Sequence, residues 1–138
     1  MSTVTPYLLY EDAAAAVEWL IATFGFRERL RYTEPTGRVT HAELTFADGV
    51  VMLGEPGKGY ENPKRASHFN GMVVVEVEDL DAHHTMAVSG GATIVTEPED
   101  TPYGIRRYRA ADPEGHEWEF TQTVADVQPE DWGATVAS

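Results

Sequence analysis

Asp112-Pro113-Glu114-Gly115-His116-Glu117-Trp118-Glu119-Phe120-Thr121-Gln122 is a turn that feeds a strand. Proline pre-sets its own φ and Gly115 tolerates a positive one, so Asp-Pro-x-Gly reads as a tight turn; the residues after it alternate with a period of two. Trp118 and Phe120 point to one face of that strand, and Glu117, Glu119 and Thr121 point to the other. One face is therefore suited to burial beneath a helix. The second carries carboxylates into solvent or into a polar cavity.

Upstream of this turn, residues 105–111 and 92–96 read as strands, with 97–104 as the loop between them. Asp79 caps a helix over 80–89 that Gly90-Gly91 stops, and a strand over 72–77 opens the series. The first half of the chain repeats this order. A strand over 4–10 contains Pro6, which suits an edge strand or a strand start. Asp12 caps a helix over 13–24 with Val17, Leu20, Ile21 and Phe24 at helical spacing, and Gly25 stops it. Strands over 26–32, 38–46 and 50–54 follow, the last two joined by the hairpin Ala47-Asp48-Gly49.

The two halves are in register: Asp12 with Asp79, Gly25 with Gly91, and Gly49 with Gly115 stand at nearly the same offset, each pair in the same structural role. The spacing predicts two copies of a strand-helix-strand-strand-strand module, 4–54 and 71–122, in a single domain spanning 1–138. Residues 55–70, rich in Gly, Pro, Asn and Lys, form the connecting loop, and 123–138 form a tail. The expected class is α+β: two βαβββ modules with mixed sheets enclosing a groove, helices on the outer faces. Each sheet is expected to bury its second face against the other sheet, leaving a groove lined by the polar-side residues.

A chain of 138 residues can bury roughly 68–70% of the surface its unfolded form exposes, so neither a metal nor a disulfide is needed to hold it together. With 23 acidic against 10 basic residues the formal charge is −13. That balance disfavours nucleic acid and anionic membranes and suits a cationic guest. The absence of cysteine excludes disulfides, thiolate metal sites and a cysteine nucleophile, and fits a reducing compartment. The N-terminus has no signal-peptide pattern and no apolar run is long enough to span a bilayer, so the expected location is the cytoplasm.

Tyr10-Glu11-Asp12, the helix ending in Phe24-Gly25-Phe26, His41-Ala42-Glu43-Leu44, Asp48-Gly49-Val50-Val51-Met52-Leu53, Val77-Glu78-Asp79-Leu80-Asp81-Ala82 and the Asp112–Phe120 turn and strand together resemble the vicinal oxygen chelate superfamily. That superfamily includes glyoxalase I, extradiol dioxygenases and bleomycin-resistance proteins, and the resemblance spans nearly the whole chain. It implies a fold rather than one activity, because the same fold hosts lyases, epimerases, oxygenases and drug binders. In metal-dependent members the ligands come from four equivalent groove-facing strand positions, two per module. Carried over by register, these fall on Glu119, on Leu53 and near Pro6 and Met72. Proline and leucine cannot bind a divalent cation and a thioether suits a soft one, so the usual metal site is expected to be missing.

Glu119 and Glu117 share a face and are candidates to accept a cationic ligand, Glu119 also as a general base if desolvated. His41 and Glu43, two apart on one strand, form an acid/base dyad, part of a relocated metal site, or a solvated strand face. His68 lies in the connecting loop. His83 and His84 are adjacent on a helix and diverge by about 100°, so they cannot chelate together. Tyr103, Tyr108 and Trp132 lack a clear core period and are suited to stack on a planar ligand or to pack at an interface. Arg107 and Arg109 share a strand face, positioned to neutralise groove carboxylates, to grip an anion or to pair with surface acids.

The expectation is a small-molecule-binding protein without the usual metal, similar to the bleomycin-resistance branch. It would sequester a cationic or aromatic compound among His41, Glu43, Glu117, Glu119, Tyr103 and Tyr108, with no cofactor, and the resemblance implies a homodimer. Two alternatives stay open. One is a metal-dependent lyase, isomerase or dioxygenase using a displaced divalent-metal site at His41, Glu43, His68 and Glu119; the other is a metal-free enzyme with Glu119 or His41 as general base.

Overall fold

Asp12 and Asp79 begin the two long helices in the same way. Each carboxylate accepts a bond at 3.0 Å from the backbone N–H three residues on, Ala15 and Ala82 respectively, which satisfies one of the free donors of a first turn. A second side chain from the strand system completes each cap: Glu55 accepts the N–H of Ala13 at 2.7 Å and Gln122 that of Leu80 at 2.8 Å. Glu55 is offset from Gln122 by the same step that separates Asp12 from Asp79. The internal repeat read from the sequence is thus present down to individual hydrogen bonds.

The computed structural model describes residues 3–68 and 70–137; Met1, Ser2, Phe69 of the expected connecting loop and Ser138 of the expected tail lie outside the described residues. The elements are β1 (Tyr7–Leu9), α1 (Ala13–Phe24), β2 (Arg27–Thr33), β3 (Val39–Phe46), β4 (Gly49–Gly54), α2 (Pro63–Ala66), β5 (Met72–Glu76), α3 (Leu80–Ser89), β6 (Thr93–Asp100), β7 (Ile105–Ala111) and β8 (Glu117–Thr123). A 3-10 turn, Pro129–Trp132, closes the tail. The strands form two four-stranded mixed sheets of order β1-β4-β3-β2 and β5-β8-β7-β6, with β1 parallel to β4 and β5 parallel to β8. The class is α+β, two βαβββ modules as expected.

Three local expectations change. β6 runs on to Asp100, where a loop from residue 97 was expected. It is an outer strand of its sheet, a position that tolerates Pro98, and its register shifts between Thr96 and Glu99, across the proline. A single helical turn, α2, interrupts the connecting loop, with the Asn62 side chain capping the N–H of Arg65 at 2.9 Å and Pro63 at its first position. The sheets do not bury their second faces against each other. Instead both turn one face toward α1 and α3 into one continuous core, where Phe24 and Phe26 of the first module meet Trp118 and Phe120 of the second.

The turn of residues 112–115 locks the modules together. Asp112 is buried, and its Oδ2 accepts the Tyr10 hydroxyl at 2.6 Å and Trp118 Nε1 at 3.1 Å; its Oδ1 accepts the backbone N–H of Glu114 and of His116 at 3.1 and 3.0 Å. Burial first, then the Asp112 carboxylate, pushes the Tyr10 phenol well above its ordinary range. Glu114 reaches across to the start of α1, accepting the N–H groups of Glu11 and Asp12 at 2.6 and 3.0 Å. Gly115 has φ +94°, and a Cβ there would stand 2.6 Å from the backbone nitrogen of Lys64. Glycine is required twice over at this position, by conformation and by space.

Candidate functional site

Alternation decides what each strand shows to the open side. Val51 and Leu53 of β4 are buried in the core, which leaves Val50, Met52 and Gly54 on the open face. The groove partner of Met52 on β1 is Tyr7, and in the second sheet Glu119 pairs with Val74. The four equivalent groove positions are therefore Tyr7, Met52, Val74 and Glu119; Tyr7 is offset from Val74, and Met52 from Glu119, by the step that separates the two helix caps. The register from the turn glycines, which put Leu53, Pro6 and Met72 at these places, is off by one or two. Gly49 is the first residue of β4, whereas Gly115 lies two residues before β8.

A hydroxyl, a thioether, an alkyl group and one carboxylate do not fit a divalent, oxygen-binding metal. Glu119, the one ionic group of the four, is taken by Arg109, whose Nε donates to Oε1 at 2.8 Å, with Arg107 at 3.7 Å. That bond with Glu119 raises the Arg109 guanidinium further above its ordinary value. Among the described residues no three His, Asp or Glu side chains converge in a way that could hold a metal ion. His68, named in the displaced set, is exposed in the loop after α2.

A cleft of about 870 Å³ follows the seam between the modules. One wall is the N-terminal segment with Arg29, Glu43, Val50 and Met52, and the other is β5 from Val73 to Glu76. A second cleft of about 560 Å³ continues along the same seam past Tyr7, Met72, Val74, His116 and Glu117. Apolar side chains stand exposed along this face, among them Tyr7, Leu9, Leu30, Tyr32, Met72 and Val74.

The expected site residues divide into two sets. On the first sheet His41 Nε2 lies 3.0 Å from Glu43 Oε2, Arg29 approaches the other carboxylate oxygen at 3.6 Å, and Tyr7, which the sequence reading passed over, places its hydroxyl 3.0 Å from His41 Nδ1. On the second sheet Glu119 is joined through Arg107 to Tyr103, whose hydroxyl accepts from Arg107 at 2.8 Å, and the Tyr103 ring packs 5.2 Å from that of Trp132. Glu117 lines the second cleft. Tyr108 is not in the groove: it is fully buried on the core face, 2.6 Å from His83 Nδ1 and stacked on Phe120. Its neighbours Arg107 and Arg109 take the open face, so alternation sends Tyr108 inward.

Comparison with known proteins agrees with this fold. The family model described as the Glyoxalase/Bleomycin resistance protein/Dioxygenase superfamily matches residues 3–120. The crystal structure of TioX from Micromonospora sp. ML1 is similar, with 38% sequence identity and a TM-score of 0.72, covering 89% of this chain and 99% of TioX. A member of the superfamily from Sphaerobacter thermophilus DSM 20745, 21% identical with a TM-score of 0.68 over 88% of this chain and 98% of that one, shares the fold. An uncharacterized protein of Mycobacterium tuberculosis (strain ATCC 25618 / H37Rv) is 31% identical over 140 residues, covering 98% of this chain and 82% of the relative.

Proposed function

This chain belongs to the glyoxalase/bleomycin resistance protein/dioxygenase superfamily, and from that premise we propose that it is a small-molecule-binding protein whose seam cleft takes an aromatic, largely uncharged compound. The observation that carries this reading is the exposed apolar lining of the cleft, Tyr7, Met72 and Val74. Glu43 is matched by His41 and Arg29, and Glu119 by Arg109 and Arg107. At Glu43 or Glu119 a cationic guest would have to displace an existing partner, whereas a planar apolar guest displaces none; Glu117 and Glu76, which line the seam without an ion pair among the described residues, are the carboxylates left open to a cation. The aromatic side of the expectation is therefore favoured over the cationic side, and the displaced metal site, whose groups lie on two sheets and a loop, has no comparable support.

The same reading includes a homodimer in the cytoplasm. Exposed Leu30, Tyr32 and Val95 on the outer strands offer a second copy apolar surface with which to close the groove, and sedimentation velocity reads the stoichiometry.

The test is thermal unfolding with a panel of planar aromatic compounds and a matched panel of alkylammonium compounds, on the wild type and on Val74→Asp. A compound at a hundredfold over its dissociation constant adds about 2.7 kcal/mol to stability. Aromatic compounds should raise the wild-type midpoint and fail to do so in Val74→Asp, which alters an exposed side chain and leaves the fold alone. A response to the ammonium compounds only, or to neither panel, overturns the reading.

A further inference from the structure

We propose that Tyr7, His41 and Glu43 form a proton-transfer relay that makes the Tyr7 oxygen a general base toward a compound lying in the cleft. Glu43 Oε2 is 3.0 Å from His41 Nε2. An ionised carboxylate only accepts, so Nε2 carries the proton, and in the neutral ring Nδ1 is left as an acceptor. The Tyr7 hydroxyl, 3.0 Å from Nδ1, therefore donates to it. Carboxylate, imidazole and hydroxyl stand in the order by which a hydroxyl is activated: a base beside it and a third group orienting the base. The Glu43 side chain is 13% exposed and held by Arg29, whereas Tyr7 is 50% exposed at the cleft. The orienting end is shielded and the working end is open.

A second observation shows how the chain permits this contact. Tyr7 is on β1 and His41 on β3, with β4 between them. His41 is paired across the strands with Gly54, and the Tyr7 ring crosses directly over that glycine: a Cβ at Gly54 would stand 2.6 Å from both Cε1 and the hydroxyl oxygen of Tyr7. Any side chain there would displace the ring from the histidine. The second module carries Val74 where the first has Tyr7 and Thr121 where the first has Gly54, so the relay is a feature of one module and not a by-product of the repeat.

The chemistry is a proton exchange. The Tyr7 oxygen takes the hydrogen of a weakly acidic C–H beside a ligand carbonyl as its own proton passes to Nδ1, leaving an enolate and an imidazolium faced by Glu43. Return of the proton to the same or a neighbouring atom of the ligand completes an epimerisation or isomerisation with no co-reactant.

The relay is tested without knowing the ligand, by labelling with an aryl sulfonyl fluoride. The Tyr7 oxygen bonds to sulfur, fluoride leaves, and the phenolic proton goes to His41. Peptide mass spectrometry follows each tyrosine, and Tyr32, 56% exposed, is the internal control. Tyr7 should react roughly a hundredfold faster than Tyr32, the low end of what a positioned base supplies. His41→Asn and Gly54→Ala should each bring it down to the Tyr32 rate, the latter with all three relay residues intact. Equal rates at Tyr7 and Tyr32 in the wild type, or a Tyr7 rate unmoved in both variants, overturns the proposal. The relay relies on the binding reading only for the ligand's seat. Failure of the aromatic panel in thermal unfolding counts against the seat, and failure of the labelling contrast counts against the relay.

Discussion

Replacing Asp112 by asparagine removes one acceptor from a buried carboxylate that serves four donors. The two backbone donors, Glu114 and His116, keep the amide oxygen at the Oδ1 place, so the new NH2 faces the Tyr10 hydroxyl and Trp118 Nε1. A hydroxyl can rotate to accept. An indole N–H cannot, and Trp118 is 0% exposed, so no water reaches it. An orphaned buried donor costs about 1–3 kcal/mol, and the loss of charge weakens the remaining bonds by up to about 1 kcal/mol each. The expected total is about 3 kcal/mol, or a fall of about 10 °C in midpoint for a domain of this size. Urea unfolding followed by tryptophan fluorescence should show a lower midpoint at unchanged slope. Asp12→Ala, which removes an exposed helix cap, should cost about 1 kcal/mol and serves as the scale. If Asp112→Asn costs no more than Asp12→Ala, the carboxylate does not bind the modules together in the way described.

Two further outcomes follow from the same geometry. Gly115→Ala should lose about 2–3 kcal/mol, from left-handed strain and from displacement of the Lys64 backbone, while Gly133→Ala, with φ +97° and nothing within 4 Å, should lose about 1 kcal/mol; equal urea midpoints for the two would remove the steric part of the argument. Burial pushes the His83 imidazole below its ordinary value, the backbone carbonyl of Phe24 opposing only in part. Its folded pKa thus lies below its unfolded one, the unfolded chain binds more protons between them, and the stability present above about pH 6.5 declines as the pH falls. Urea midpoints at pH 7.5 and 5.5 should separate more in the wild type than in His83→Gln, and parallel behaviour would show that His83 is not the titrating group.

The two long helices, α1 and α3, were legible in the sequence because their caps are local: an aspartate, a run at helical spacing and a glycine act within a dozen residues. The groove register was legible only to within a residue or two, since it was anchored on turn glycines in turns of different length; the step from Asp12 to Asp79, applied to Glu119, would have placed Met52 rather than Leu53 beside Tyr7. The inward position of Tyr108 was already contained in the alternation that put Arg107 and Arg109 on one face, and was missed by treating the tyrosine apart from its strand. Asp112 and Tyr7 are different. Asp112 read as a turn residue, and nothing near it in the chain announces that Tyr10, 102 residues earlier, donates to it. Tyr7 read as one residue of a short strand, and its bond to His41, 34 residues on, depends on a glycine in a third strand. Sequence periodicity fixes which face a side chain occupies. Which polar groups on that face then bond to each other is decided by the order of strands in the sheet and by one missing Cβ, neither of which a local pattern announces.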